Sequence, residues 1–151
     1  MRKILVIFLL MSFCTRAFGD ADVSEDAVKA AFIFHFISFT QWNDEPRDYY
    51  VCIPDDESLR ETAREMFKDK RINDHGIVVS DQAEGCDVLV SDNVPSTNST
   101  MTIGPLTKGA LFEFRLIDNK MRFAVDFDKV KRFKFKISSQ LLKLAILEND
   151  T

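Results

Sequence analysis

The sequence predicts a single α/β domain: a mixed β-sheet flanked by helices, with a long apolar N-terminal helix and a C-terminal β-hairpin plus helix. The hydrophobic period changes near Tyr49 from a helical run to short alternating runs separated by polar turns. One amphipathic segment lies between those runs, which is the pattern of a sheet with a crossover helix. No internal repeat, Gly/Ser-rich linker or heptad run divides the 151 residues.

Residues 1–19 read as a signal peptide rather than as part of the fold. Arg2 and Lys3 give a basic start, Ile4 to Phe13 is an apolar run too short to span a bilayer, and Ala17-Phe18-Gly19 places small residues where a signal peptidase reads. Cleavage after Gly19 leaves a domain of residues 20–151 and places it in the periplasm. Cys14 raises a lipid-anchored alternative, but the bulky Phe13 before it does not suit lipoprotein processing.

The first helix is expected to begin near Ser24, because Ser24, Glu25 and Asp26 suit a helix N-terminus by capping and by the dipole. It is expected to run to Trp42, before the Asn43-Asp44-Glu45-Pro46 turn. Its residues are apolar nearly all round, so it should be buried between layers or covered by a partner. Phe32, Phe36 and Phe39 share a stripe by their spacing and, with Trp42, form the candidate surface for a partner or for self-association. Core packing competes for each of them.

Tyr49 to Ile53 then reads as a strand, Ser58 to Lys68 as an amphipathic helix, and Ile77 to Val79, Val88 to Val90 and Met101 to Ile103 as further strands. Leu111 to Ile117 and Lys120 to Val125 flank Asp118-Asn119, a two-residue connection typical of a tight hairpin. Phe133, Phe135 and Ile137 alternate with Lys134 and Lys136, and Ser138 caps a short helix carrying Leu141, Leu142, Ala145 and Ile146.

The excess of 14 Phe over one Trp and two Tyr points to a thick core, a sticky interface or both. Loss of Arg2, Lys3 and Arg16, with no acid removed, makes the mature chain more acidic than the net −4 of the whole sequence. A general nucleic-acid binder is therefore excluded. Lys129, Lys131, Arg132, Lys134, Lys136 and Lys143 cluster late in the chain, where a solvated face is the simple reading.

No catalytic constellation emerges. His35 and His75 have no second histidine or cysteine at metal-binding spacing, and they read as a core imidazole and a turn residue. There is no Gly-x-Ser-x-Gly elbow and no Gly-rich phosphate loop. The sequence calls for no cofactor and no resident metal. Its most enzyme-like feature is Pro54-Asp55-Asp56-Glu57-Ser58 after the first strand, which with Asp92 could hold a hard cation or a small ligand. The competing use of these acids is to cap the following helix.

With Cys14 lost in the leader, Cys52 and Cys86 are the thiols left in an oxidising compartment, and an even count there favours a disulfide. It would close a loop of about 35 residues, worth roughly 3 to 4 kcal/mol in the chain-entropy model. Cys52 lies late in one predicted strand and Cys86 just before another, so parallel neighbours need a stagger to bring the Cα atoms within reach.

Several segments together carry a resemblance: Val28-Lys29-Ala30-Ala31-Phe32-Ile33-Phe34-His35-Phe36 running on to Trp42, Val51-Cys52-Ile53, Cys86-Asp87-Val88-Leu89-Val90, and Gly109-Ala110-Leu111-Phe112-Glu113-Phe114. Met121-Arg122-Phe123-Ala124-Val125 and Ile137-Ser138-Ser139-Gln140-Leu141-Leu142-Lys143-Leu144-Ala145 complete it. The chain resembles the YfiR family of periplasmic proteins over nearly all of its mature length. The resemblance implies a non-enzymatic inhibitor of an inner-membrane diguanylate cyclase, bound at the periplasmic sensor region and lowering cyclic di-GMP signalling and biofilm formation. It supports a Cys52–Cys86 disulfide; further candidate partners are an outer-membrane lipoprotein and, from the aromatic surface of the first helix, a second copy in a homodimer. The chain departs from the family in ending its hairpin strand on Asp126, where relatives often carry Asn, and in lacking the type member's cysteine pair nearer the C-terminus. The competing function is a periplasmic small-ligand-binding or metal-dependent enzymatic domain built on Asp55 and Asp56.

Overall fold

The computed structural model describes residues 23–43 and 47–146. The signal-peptide reading, Cys14 and the mature start at Asp20 lie outside them. Helix α1 spans Glu25–Ser38, and the Ser24 side chain caps it by accepting from the Ala27 amide at 3.1 Å. The expected long helix to Trp42, apolar on every side, is corrected. The Thr40 hydroxyl donates to the Phe36 carbonyl at 2.7 Å, and Thr40–Gln41 leaves the helix as strand β1. A β-branched residue able to satisfy the last carbonyls ends the helix earlier than the polar turn that follows. Ala30, Ile33, Phe36 and Ile37 are buried, whereas Glu25, His35 and Ser38 face solvent and Lys29 pairs with Glu25 at 2.9 Å. His35 is therefore a surface residue, not the core imidazole expected.

The main sheet has six strands: β2 (Tyr49–Cys52), β3 (Ile77–Ser80), β4 (Val88–Val90), β5 (Met101–Ile103), β6 (Phe112–Ile117) and β7 (Lys120–Val125), in the order β3-β2-β4-β5-β6-β7. All neighbours are parallel except the β6–β7 hairpin, so the sheet is mixed. Asp118 and Asn119 turn that hairpin with φ of 50° and 59°. Those two positive values belong to the turn type whose twist matches the strands, and Asn and Asp tolerate them best among residues other than glycine. Helix α2 (Glu57–Phe67), capped by Asp56 through the Leu59 amide at 3.0 Å, carries the chain from β2 to its neighbour β3. The connection leaves β2 toward β3 on one side, and β4 then joins on the other side of β2, so the winding direction reverses between β2 and β4.

Helices α1 and α2 pack side by side, and α1 lies over the hairpin strands. The Phe36 ring stacks on Phe112 at 4.2 Å and meets Phe123 edge-on at 5.0 Å, while Phe32 reaches Phe123 at 5.4 Å and Phe114 at 6.1 Å. Each fully buried Phe side chain contributes about 1.5–3 kcal/mol by removal from water. This is where much of the aromatic surplus goes.

At the N-terminal ends of the strands a small second layer forms. β1 pairs antiparallel with β8 (Lys136–Ile137), and Trp42 packs on Phe135 at 4.9 Å and Tyr49 at 5.8 Å. The Trp42 indole N–H donates to the Ile37 carbonyl at 3.0 Å, which satisfies its polar edge. Between hairpin and β8 lies a helix that the sequence reading passed over, α3 (Phe127–Arg132), with Asp126 as its cap. A short α4 (Ser139–Leu142) follows, capped by Ser138 as expected.

Candidate functional site

The carboxyl ends of β2, β4 and β5 converge on a cleft of about 520 Å³. Open α/β sheets place their binding crevices here, beside the strands where the winding reverses. The loop after β2 supplies Asp55 and Asp56, the loop after β4 supplies Ser91 and Asp92, and Gly104-Pro105 follows β5. Lys29 enters from α1, and Glu113 and Phe114 from β6.

Two of the acids are committed to local structure. Asp55 accepts from the Ser91 hydroxyl at 2.8 Å and ties the two loops together, while Asp56 caps α2. Asp92 is exposed. Burial alone would raise the Glu113 carboxyl, but hydrogen bonds from the Arg115 guanidinium at 2.7 Å and the Leu106 amide at 2.6 Å, with the Arg115 charge, hold it below its ordinary range. Among the described residues, no group of three or more His, Cys, Asp or Glu is gathered to hold a metal ion. Asp55, Asp56 and Asp92 line one cleft, yet they do not converge as a cation cage.

Gly104 lets the cleft close at its base. A Cβ there would lie 2.2 Å from the Ser91 carbonyl oxygen, so any side chain would push the ends of β4 and β5 apart. The Gly104 requirement, the entry of Lys29 and the Glu113 pairing were all missed from sequence; a glycine directly after a β-type run was the one available signal.

A second constellation lies beside the first parallel strands. Cys52 and Cys86 form a disulfide with Cα atoms 5.8 Å apart. The stagger expected from sequence is real, since Cys52 pairs in register with Leu89 and not with Cys86. Gly85, at φ 74°, turns the chain ahead of β4 and brings Cys86 back over the strand. The next residue, buried Asp87, accepts two bonds from the Arg47 guanidinium at 2.6 and 2.9 Å and one from the Tyr50 amide at 2.8 Å.

Residues 26–146, from α1 through the hairpin to the C-terminal turn, match the YfiR/HmsC-like family model. The chain belongs to the YfiR/HmsC-like family. No curated protein shows significant similarity to it. The family is regulatory and non-catalytic, and it points to a periplasmic regulator in diguanylate cyclase signalling. Among the described residues, no helix is long and apolar enough to cross a membrane.

In this YfiR/HmsC-like chain the four aromatic candidates have separate fates. Phe36 is fully buried against Phe112 and Phe123 and has no surface to offer a partner. Phe32 is half-buried over the hairpin, and Trp42 is half-buried in the small second layer. Phe39 alone among them is an exposed large hydrophobic, 39% accessible. The stripe read from helical spacing is broken because Phe39 follows the last helical residue.

Proposed function

We propose that this protein binds the periplasmic sensor region of an inner-membrane diguanylate cyclase and holds the enzyme inactive, so lowering cyclic di-GMP and biofilm formation. The family match over residues 26–146 carries this reading. Residues 1–19, read as an export signal, and an aromatic surplus partly left at the surface are consistent with it. An inhibitor that prefers the inactive sensor arrangement shifts the population toward it, and moving from 1:99 to 99:1 needs about 5.5 kcal/mol of differential affinity.

Phe39 and the outer part of Phe32 are proposed as contacts in that complex or in a homodimer. Phe39→Ser should leave the melting temperature within about 2 °C of wild type, because surface substitutions usually stay within ±0.5 kcal/mol. It should weaken partner binding or dissociate the dimer. Titration calorimetry of the mature chain against the periplasmic region of the host's cyclases tests the function itself: a saturable complex is expected, and no binding to any of them would remove the assignment. A neighbouring gene encoding an inner-membrane protein with a periplasmic loop and a cyclase domain would name the partner to try first.

A further inference from the structure

We infer that the cleft at the carboxyl ends of β2, β4 and β5 is the docking groove for a basic, partly apolar segment of the partner protein. This deepens the proposed function and rests on the chain being a binding protein, though not on the partner being a cyclase.

The cavity is large enough to take one or two side chains, and it sits where sheets of this winding bind ligands. Its lining is divided. Val90, Pro105 and Phe114 supply an accessible apolar side over a floor of buried Leu59 and Ile103, and Asp55, Asp56, Asp92 and Glu113 supply carboxylates against the single lining cation Lys29. Lys29 is already paired with Glu25, and Glu113 with Arg115, so those charges are largely cancelled. Asp55 and Asp56 each hold one local donor and Arg60 lies beside them on the Ile53 and Pro54 carbonyls, but with exposed Asp92 the two loops still present three carboxylates to that one lining cation. An entering lysine or arginine complements that charge, and its aliphatic stem or an apolar neighbour suits the other side.

The apolar side also continues out of the cleft. Phe114 touches half-buried Phe32, and on the same face of the hairpin Leu116, 57% accessible, stands opposite Met121. Exposed apolar surface contiguous with a charged cavity fits an extended polypeptide better than a small amine, which would leave Leu116 and Met121 uncovered.

The test is site-specific photocrosslinking in the periplasm with the full chain, placing benzoylphenylalanine at Asp92 and, as control, at Asp69 beyond the far end of α2. The expected result is an adduct from position 92, absent from position 69, whose crosslinked partner peptide carries Lys or Arg beside apolar residues. A synthetic copy of that peptide should bind Asp92→Lys at least ten-fold more weakly than wild type, at an unchanged melting temperature. No adduct from 92 above the control, a crosslinked peptide without basic residues, or unchanged affinity in Asp92→Lys would overturn the groove. A basic partner segment from a protein that is not a cyclase would uphold the groove and overturn the cyclase reading instead.

Discussion

The two halves of the sheet are held together by different means. On the β3-β2-β4 side the strands are three or four residues long, and covalent and ionic clamps supplement their ladders: the Cys52–Cys86 disulfide and the Arg47 fork on Asp87. On the β6–β7 side the strands are six residues long, register is set by a two-residue turn, and α1 covers them with a stack of phenylalanines. Short parallel strands joined by one crossover helix and one irregular loop gain few strand-to-strand contacts for the entropy they lose, whereas a local hairpin under an aromatic helix gains many. Where local contacts are few, long-range clamps do the holding.

Breaking the aromatic half should have the largest effect. Phe36→Ala removes a fully buried ring between Phe112 and Phe123 and should cost about 3–5 kcal/mol, read from denaturant unfolding. Breaking the clamped half comes next. Cys52→Ser, or reduction of the bridge, should cost about 2–5 kcal/mol, and two alkylatable thiols in the folded oxidised protein would show the clamp to be unnecessary. Adding reductant should leave the unfolding of Cys52→Ser unchanged while lowering that of wild type.

The cleft between the halves should respond more modestly. Gly104→Ala sets a methyl group against the Ser91 backbone and should cost about 1–3 kcal/mol as overpacking, with peptide binding weakened in step. Glu113 gives the smallest effect and one of definite sign. Its folded pKa is lowered, so its contribution is fully present above the unfolded glutamate value of about 4.3 and is lost as pH falls through the folded value. Glu113→Gln should therefore flatten the acid limb of the stability profile below that pH; an unchanged limb would show that the Arg115 and Leu106 contacts do not hold the carboxylate.

The legible parts of this molecule were those with local signals. Asp118-Asn119 set the hairpin, Asp56 and Ser138 marked helix starts, and an even cysteine count pointed to the bridge. The misreadings came from competing signals. The long apolar run hid the end of α1 at Ser38, because Thr40 stops the helix through a bond to Phe36 that composition does not show. Asp126 was an available cap for α3, but the basic run of Lys129, Lys131 and Arg132 was read as a charged face. Lys129 is in fact buried, with its ammonium on the Gly109 carbonyl and its pKa lowered by burial. The Arg47–Asp87 fork joins residues 40 apart, and the cleft draws on α1, three loops and β6, so no spacing in the chain announces either.

The central claim is that the protein restrains a cyclase from the periplasmic side, and intracellular cyclic di-GMP measures that restraint directly. Deleting the gene should raise cyclic di-GMP and surface attachment, restoring the wild-type gene should reverse the rise, and deleting the partner cyclase as well should abolish it. Unchanged cyclic di-GMP on deletion, or a rise that persists when every periplasm-facing cyclase is removed, would contradict the account.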